Sequence, residues 1–357
     1  MSPRPWLAGL ILVGLPTFAP AEPPTEAEFA EQVRRLDPKT IGKEDRLKAL
    51  GWLNGNSRAA NADKAVPALE RCSRDDPEWE VRQKAVLCLG LIARSMDRPC
   101  PLAVLEAIHD KEDFVRYQAF ERAALFKAYP AEALDVLLRG VQADNAELRG
   151  TSLLLLPRVA AKDPKALAAV EQATKDKVFD VRHSAHVARF RLRDKLDEFL
   201  PYLIRVREDP ASVLSPVPAD SEVGKNELRE RNLVLLGTGS RMVEWGESRT
   251  DELAAALVKL LADESPVMRR GAAGLIGASA VKVEPPRQGG PFDSILPYID
   301  PPAAPKGAAP EKSKVAARLE RLGVVAALQK MQADDTDRTV RDAARSALER
   351  LATVQVK

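Results

Sequence analysis

The residues of this 357-residue chain that could do chemistry are three histidines, three cysteines and a periodic series of aspartates and arginines. His183 and His186 stand three apart, a spacing that lets two helical side chains share a metal, with Asp180 one turn earlier. The apolar face of that stretch is Val181, Ala185, Ala188 and Leu192. At 100° per residue His183 falls almost opposite this face and His186 well round from it, so both are expected on the solvated surface. His-Glu-x-x-His, Gly-x-x-x-x-Gly-Lys and Gly-x-Ser-x-Gly arrangements are absent, and Gly237-Thr-Gly239 is too short to cradle a phosphate. No catalytic residue, metal or cofactor is therefore expected. Cys72, Cys88 and Cys100 lack paired Cys-x-x-Cys spacing, which leaves buried small hydrophobes, or one disulfide and a spare thiol, as the readings.

The aspartates and arginines are regular. In Asp176-Lys-Val-Phe-Asp-Val181-Arg182-His-Ser-Ala185 an aspartate precedes an aliphatic-arginine pair, and an alanine follows. The pattern recurs as Asp76 with Val81, Arg82 and Ala85, and as Asp110 with Val115, Arg116 and Ala119. It returns as Asp263 with Met268, Arg269 and Ala272, and as Asp335 with Val340, Arg341 and Ala344. A shortened copy reads Asp144, Leu148, Arg149 and Ser152. The marker arginines at 82, 116, 149, 182, 229, 269 and 341 give steps of 34, 33, 33, 47, 40 and 72 residues. Such a step marks stacked supersecondary units. Each holds two segments of helical periodicity, for instance residues 131–142 and 146–160, and neither can bury its apolar stripe without the next pair.

The elements that position these residues follow from the same pattern. An aspartate ahead of a second helix accepts from its unpaired amides and complements the dipole. Asp76-Pro77 and Asp163-Pro164 read as helix starts with proline at the first position, and Asp110-Lys-Glu-Asp113 as a variant capping box. Taken together, the aspartate, the aliphatic-arginine pair and the alanine resemble the second-helix signature of HEAT repeats over roughly residues 63–350, with a step closer to short bacterial, bilin-lyase-type units. The fold expected is all-α: a right-handed α-solenoid of stacked antiparallel helix pairs. The resemblance implies that each arginine reaches an aspartate of an adjoining repeat, so that Asp76, Arg82, Asp110, Arg116, Arg149, Asp176, Arg182, Asp263, Arg269, Asp335 and Arg341 form a structural ladder. It also implies that second helices line an inner wall, where Gln83, Tyr117, Gly150, His183, Glu230, Arg270 and Asp342 follow the arginines. Tyr117, Phe120, His183, His186 and Arg270 are the candidate partner-binding residues.

In chain order, residues 1–21 read as an export signal: Arg4, an apolar run over residues 7–15 and a cleavage site ending at Ala21. Residues 22–62 form capping helices, and residues 63–283 the repeats, with a loop insertion over 208–225. Residues 284–313 are a proline-rich insertion, in which 291–299 could preserve a first-helix remnant, because a step of 72 equals two units of 36. Residues 314–357 supply a last helix pair, over 314–333 and 337–353. Arg189, Arg191, Arg193 and Lys195 crowd a helix end, where cations complement the dipole. With 30% charged residues and a net charge of +2, the chain offers no electrostatic case for nucleic acid. The apolar run at the start is too short to span a bilayer, so no stable membrane insertion is expected.

The expected function is a non-enzymatic scaffold that binds a protein or peptide through its inner wall, in the periplasm or outside the cell. The alternative is a bilin-lyase-like enzyme or an accessory subunit of an exported enzyme complex.

Overall fold

The computed structural model describes residues 23–214, 248–280 and 313–353, together with Ser221, Lys225 and Trp245. The expected export signal, most of the 208–225 loop, the unit around Arg229 and nearly all of the proline-rich insertion lie outside the described residues. Among those described, regular structure is helical throughout and no strand occurs. The chain divides into two compact units, residues 1–126 and 127–357.

The first unit opens with α1 (Glu26–Arg34), started by a capping box: Thr25 Oγ1 accepts from the Glu28 amide at 3.3 Å, and the Glu28 carboxylate accepts from the Thr25 amide at 2.7 Å. Next come α2 (Lys43–Gly55), α3 (Val66–Asp75), α4 (Trp79–Ser95), α5 (Leu102–Glu106) and α6 (Asp113–Ala123). Helix α4 is the centre, packed by α2, α3 and α6. Phe29, Leu50, Leu53, Leu69, Leu89 and Ile92 are fully buried around it. Each such side chain contributes roughly 1.5–3 kcal/mol.

Two expected helix starts shift here. Pro77 lies outside α4, whose cap is Glu78. The Asp110 to Asp113 stretch is no capping box, since α6 itself begins at Asp113 after Glu112 and Asp113 pairs with Arg116. In both places the aspartate is needed elsewhere, as described below.

The second unit runs through α7 (Ala133–Val141), α8 (Ala146–Val159), α9 (Pro164–Ala173), α10 (Phe179–Arg193) and α11 (Leu196–Glu208). Here Asp163 does cap α9, accepting from the Lys165 amide at 2.7 Å with Pro164 at the first position. Then follow α12 (Thr250–Leu261), α13 (Pro266–Ser279), α14 (Lys314–Arg321), α15 (Val324–Asp334) and α16 (Arg338–Thr353). The single helix expected over 314–333 is broken at Gly323, whose φ of +74° an L side chain resists.

Helix α13 packs directly on α16, and Arg269 of α13 bonds Asp335 just ahead of α16. Across the 72-residue step this contact is direct, and the first-helix remnant expected over 291–299 within the proline-rich insertion lies outside the described residues. The ends of that insertion meet: the Ser313 amide donates to the Ala280 carbonyl at 3.1 Å, and the Ser313 hydroxyl donates to that of Ser279.

Candidate functional site

Three rungs of the ladder, at Arg82, Arg149 and Arg269, are built in the same way. One edge of the Arg82 guanidinium donates to Asp110 Oδ2 and Oδ1 at 2.6 and 2.9 Å. Its other nitrogen donates to the carbonyls of Asp76 and Pro77 at 2.9 and 3.3 Å. Arg149 repeats this with Asp176 at 2.8 and 3.0 Å, and Arg269 with Asp335 at 2.7 and 3.0 Å.

The aspartate has a second duty. Asp76, Asp110, Asp176, Asp263 and Asp335 each accept from the amide two residues on, which fixes the turn before the following helix. This is why they stand short of the cap position. Bonding from Arg269 lowers the Asp335 pKa, and Asp110 raises that of Arg82. At Asp176 burial pushes the pKa up, but the Arg149 guanidinium and the Val178 amide hold it below the ordinary value.

Three further marker arginines show other contacts. Arg182 donates to the Asp176 carbonyl at 2.7 Å and to the Val213 carbonyl at 2.5 Å, a neutral acceptor where other rungs have a carboxylate. Arg116 bonds the carbonyls of Asp110 and Lys111 and pairs with Asp113 within its own helix. Arg341 bonds the carbonyls of Asp335 and Thr336. One rung was missed: Arg46 grips Asp76, with Nε and Nη2 at 2.9 and 3.0 Å from its two oxygens. The signal was Ala49 three residues after Arg46, hidden because Asp45 replaces the usual aliphatic residue.

His183 and His186 are half-buried, which corrects the expectation of a solvated pair. The cause is Tyr202 of α11. Its ring stacks on His186 with centroids 3.8 Å apart, and its hydroxyl lies 3.0 Å from His183 Nδ1. Helix α11 occupies the place beside α10 that was expected to be open. Phe190, Phe199 and Trp245 extend the stack. Burial, then the charges of Arg189, Arg182 and Arg205, push the His186 pKa down to about 4. Among the described residues no group of three His, Cys, Asp or Glu is placed to hold a metal.

Arg270 is also engaged by α11: it donates to the Glu208 carboxylate at 2.8 Å and to the Glu208 carbonyl at 2.9 Å, and meets Thr339 Oγ1 at 3.0 Å. Arg189 and Arg193 reach Glu171 at 3.4 and 3.5 Å, and Arg193 and Lys195 reach Glu198 at 2.9 and 3.2 Å, so carboxylates as well as a helix end hold these cations. The remaining expected wall positions scatter. Gly150 is buried beside Ser184, Asp342 pairs with Arg345, and Glu230 lies outside the described residues.

Tyr117 is different. It is 44% exposed on α6, near Phe114, which is 62% exposed. Phe114 stacks on Trp79 of α4 with centroids 5.2 Å apart. Burial and Glu121 raise the Tyr117 pKa. Gln83 Nε2 donates to the Phe114 carbonyl at 3.4 Å, and Phe120 is half-buried on the same helix. Phe114 and Trp79 were missed because each stands ahead of its marker arginine. The three cysteines are free and buried, with thiol pKa values pushed by burial to about 11 at Cys72 and about 12 at Cys88 and Cys100.

A family model described as HEAT repeat matches residues 65–96, which hold the whole of α3 and α4 with Asp76 and Arg82. No curated protein matches the chain. Among solved structures, Kap121p is similar at 15% identity and a TM-score of 0.41, over 92% of this chain and 33% of Kap121p. Kap95p, from a complex with RanGDP, is similar at 14% identity and a TM-score of 0.37, over 91% of this chain and 45% of that one. A designed armadillo repeat protein in complex with the peptide (KR)4 is similar at 16% identity and a TM-score of 0.22, over 91% and 99%.

Proposed function

We propose that this HEAT-repeat chain is a non-enzymatic scaffold that captures a protein or peptide on the second-helix face of its first unit. One observation carries the reading: the exposed Phe114, stacked on Trp79, with Tyr117 one turn further along α6. Aromatic rings left in water lose stability that a partner restores, and they dominate the energetics of protein interfaces. The Arg82–Asp110 rung joins α4 to the turn before α6, so the spacing of the rings is set before a partner arrives. That preorganisation reduces the ordering cost of binding. Affinity then comes from several shallow contacts along two helices.

The test is crosslinking in a native cell-envelope extract, followed by mass spectrometry of the captured proteins. A protein recovered repeatedly with the native chain should be lost with a Phe114→Ala, Tyr117→Ala double variant of unchanged helicity. Equal recovery would remove this surface from consideration. The composition of residues 1–21 further supports a site of action in the periplasm or outside the cell. Protein isolated from the periplasm should begin at Glu22, whereas a chain that keeps Met1 and stays in the cytoplasm would refute export.

A further inference from the structure

The guanidinium of Arg341 is held as in a complete rung, yet one of its edges has no partner. Its Nη1 donates to the Asp335 and Thr336 carbonyls at 2.6 and 3.1 Å, as Arg269 Nη1 donates to those of Asp263 and Glu264 at 2.9 and 2.8 Å. In Arg269 the remaining edge, Nε and Nη2, grips both oxygens of Asp335. In Arg341 that edge meets no carboxylate among the described residues, and the side chain is half-buried near the start of α16. A guanidinium fixed through its other nitrogen presents two parallel donors at carboxylate spacing.

An aspartate of matching geometry stands at Asp37. Rung aspartates lie in the turn between the two helices of a pair, with Oδ1 accepting from the amide two residues on: Asp76 accepts from Glu78 at 3.0 Å, and Asp335 from Asp337 at 3.0 Å. Asp37-Pro38-Lys39, between α1 and α2, repeats Asp76-Pro77-Glu78, and Asp37 Oδ1 accepts from the Lys39 amide at 3.0 Å. Arg46 bonds both oxygens of Asp76, but no cation reaches the exposed Asp37 among the described residues. Arg46, Arg82, Arg149 and Arg269 each meet an aspartate that follows in sequence. Arg341 is the last marker arginine of the pattern and Asp37 stands ahead of the first rung, so each lacks the counterpart that the others have.

We propose that this chain associates head to tail with a second copy of itself, Arg341 of one copy gripping Asp37 of the next as Arg269 grips Asp335. The surroundings are polar: Asp342 pairs with Arg345 one turn beyond Arg341, and Arg34 and Arg35 pair with Glu31 just ahead of Asp37. The joint therefore depends on charge rather than on apolar burial, and it forms at high protein concentration.

Sedimentation velocity of the full chain from about 1 µM to about 1 mM should show mass rising with concentration at about 50 mM salt, and less association at about 500 mM. A head-to-tail joint brings together two different patches, so reversing the charge of either should break it. Asp37→Arg and Arg341→Asp should each weaken association about tenfold or more. Mixing the two variants in equal amounts should restore it, because Arg341→Asp supplies a carboxylate to Asp37→Arg while the unchanged Arg341 and Asp37 close the other joint. Far-UV circular dichroism reports that the variants are folded, and Asp37→Arg, in an exposed turn, carries the test alone should Arg341→Asp unfold α16. The proposal is overturned if the native chain stays monomeric throughout, if Asp37→Arg associates as strongly as the native chain, or if a mixture of the two folded variants stays monomeric. None of these results bears on capture through Phe114 and Tyr117.

Discussion

Removing Arg82 would strand the Asp110 carboxylate, whose side chain is only 9% exposed in the pair. An uncompensated buried charge costs about 3–5 kcal/mol, so Arg82→Met should shift the urea midpoint far more than Arg341→Met. Arg341 donates to two carbonyls and to no carboxylate among the described residues, and its loss should cost about 1–2 kcal/mol. Equal shifts would mean that the rungs are not ionic locks. His186 gives a pH test. Its pKa of about 4 in the fold lies below the 6.5 of an unfolded histidine, so between these values only the unfolded chain takes up the proton. Its stabilisation is complete above pH 6.5 and is lost as pH falls toward 4, with a ceiling of about 3 kcal/mol. Melting His186→Phe alongside the native protein at pH 7 and pH 4.5 isolates this from the carboxylates; the variant should lose less, and parallel losses would refute the assignment. The ladder was legible because its members recur at a fixed step. The burial of the histidines was not, because it depends on Tyr202, a residue from a different helix.

At the scale of the element, the glycines discriminate between close approach and open space. A Cβ at Gly271 of α13 would overlap the Ile204 side chain of α11, whereas one at Gly51 of α2 meets nothing within 4 Å. Gly271→Ala should therefore destabilise by about 1–3 kcal/mol. Gly51→Ala should stabilise by roughly 0.5–1 kcal/mol through helix propensity. Thermal melts of the two variants should move in opposite directions; a shared direction would mean that α11 yields freely. Helical periodicity located most elements to within a few residues, as with α7 inside the expected 131–142. It could not foresee that α11 lies against α10 and α13, since the contact rests on Ile204 meeting a glycine far along the chain. Nor did it divide residues 314–333, because the break comes from one backbone angle at Gly323.

For the whole molecule, the Arg269–Asp335 rung and the packing of α13 on α16 hold with residues 281–312 intervening in sequence. Replacing that stretch by a short glycine-serine link should leave the melting temperature unchanged or slightly raised. Closing a shorter loop is worth about 1 kcal/mol. A drop of more than about 10 °C, which corresponds to several kcal/mol, would show that the stretch supports the fold. Composition marked this segment as an interruption. Its proline content gave no register for the contact across it, which rests on Arg269 and Asp335 far apart in the chain. No described helix is long and apolar enough to cross a membrane.

The bond from the Ser313 amide to the Ala280 carbonyl gives the chain a doorway: it exits and returns through one narrow opening. What is threaded through such an opening can lengthen, shrink or be exchanged for a guest domain while the architecture on either side keeps its register.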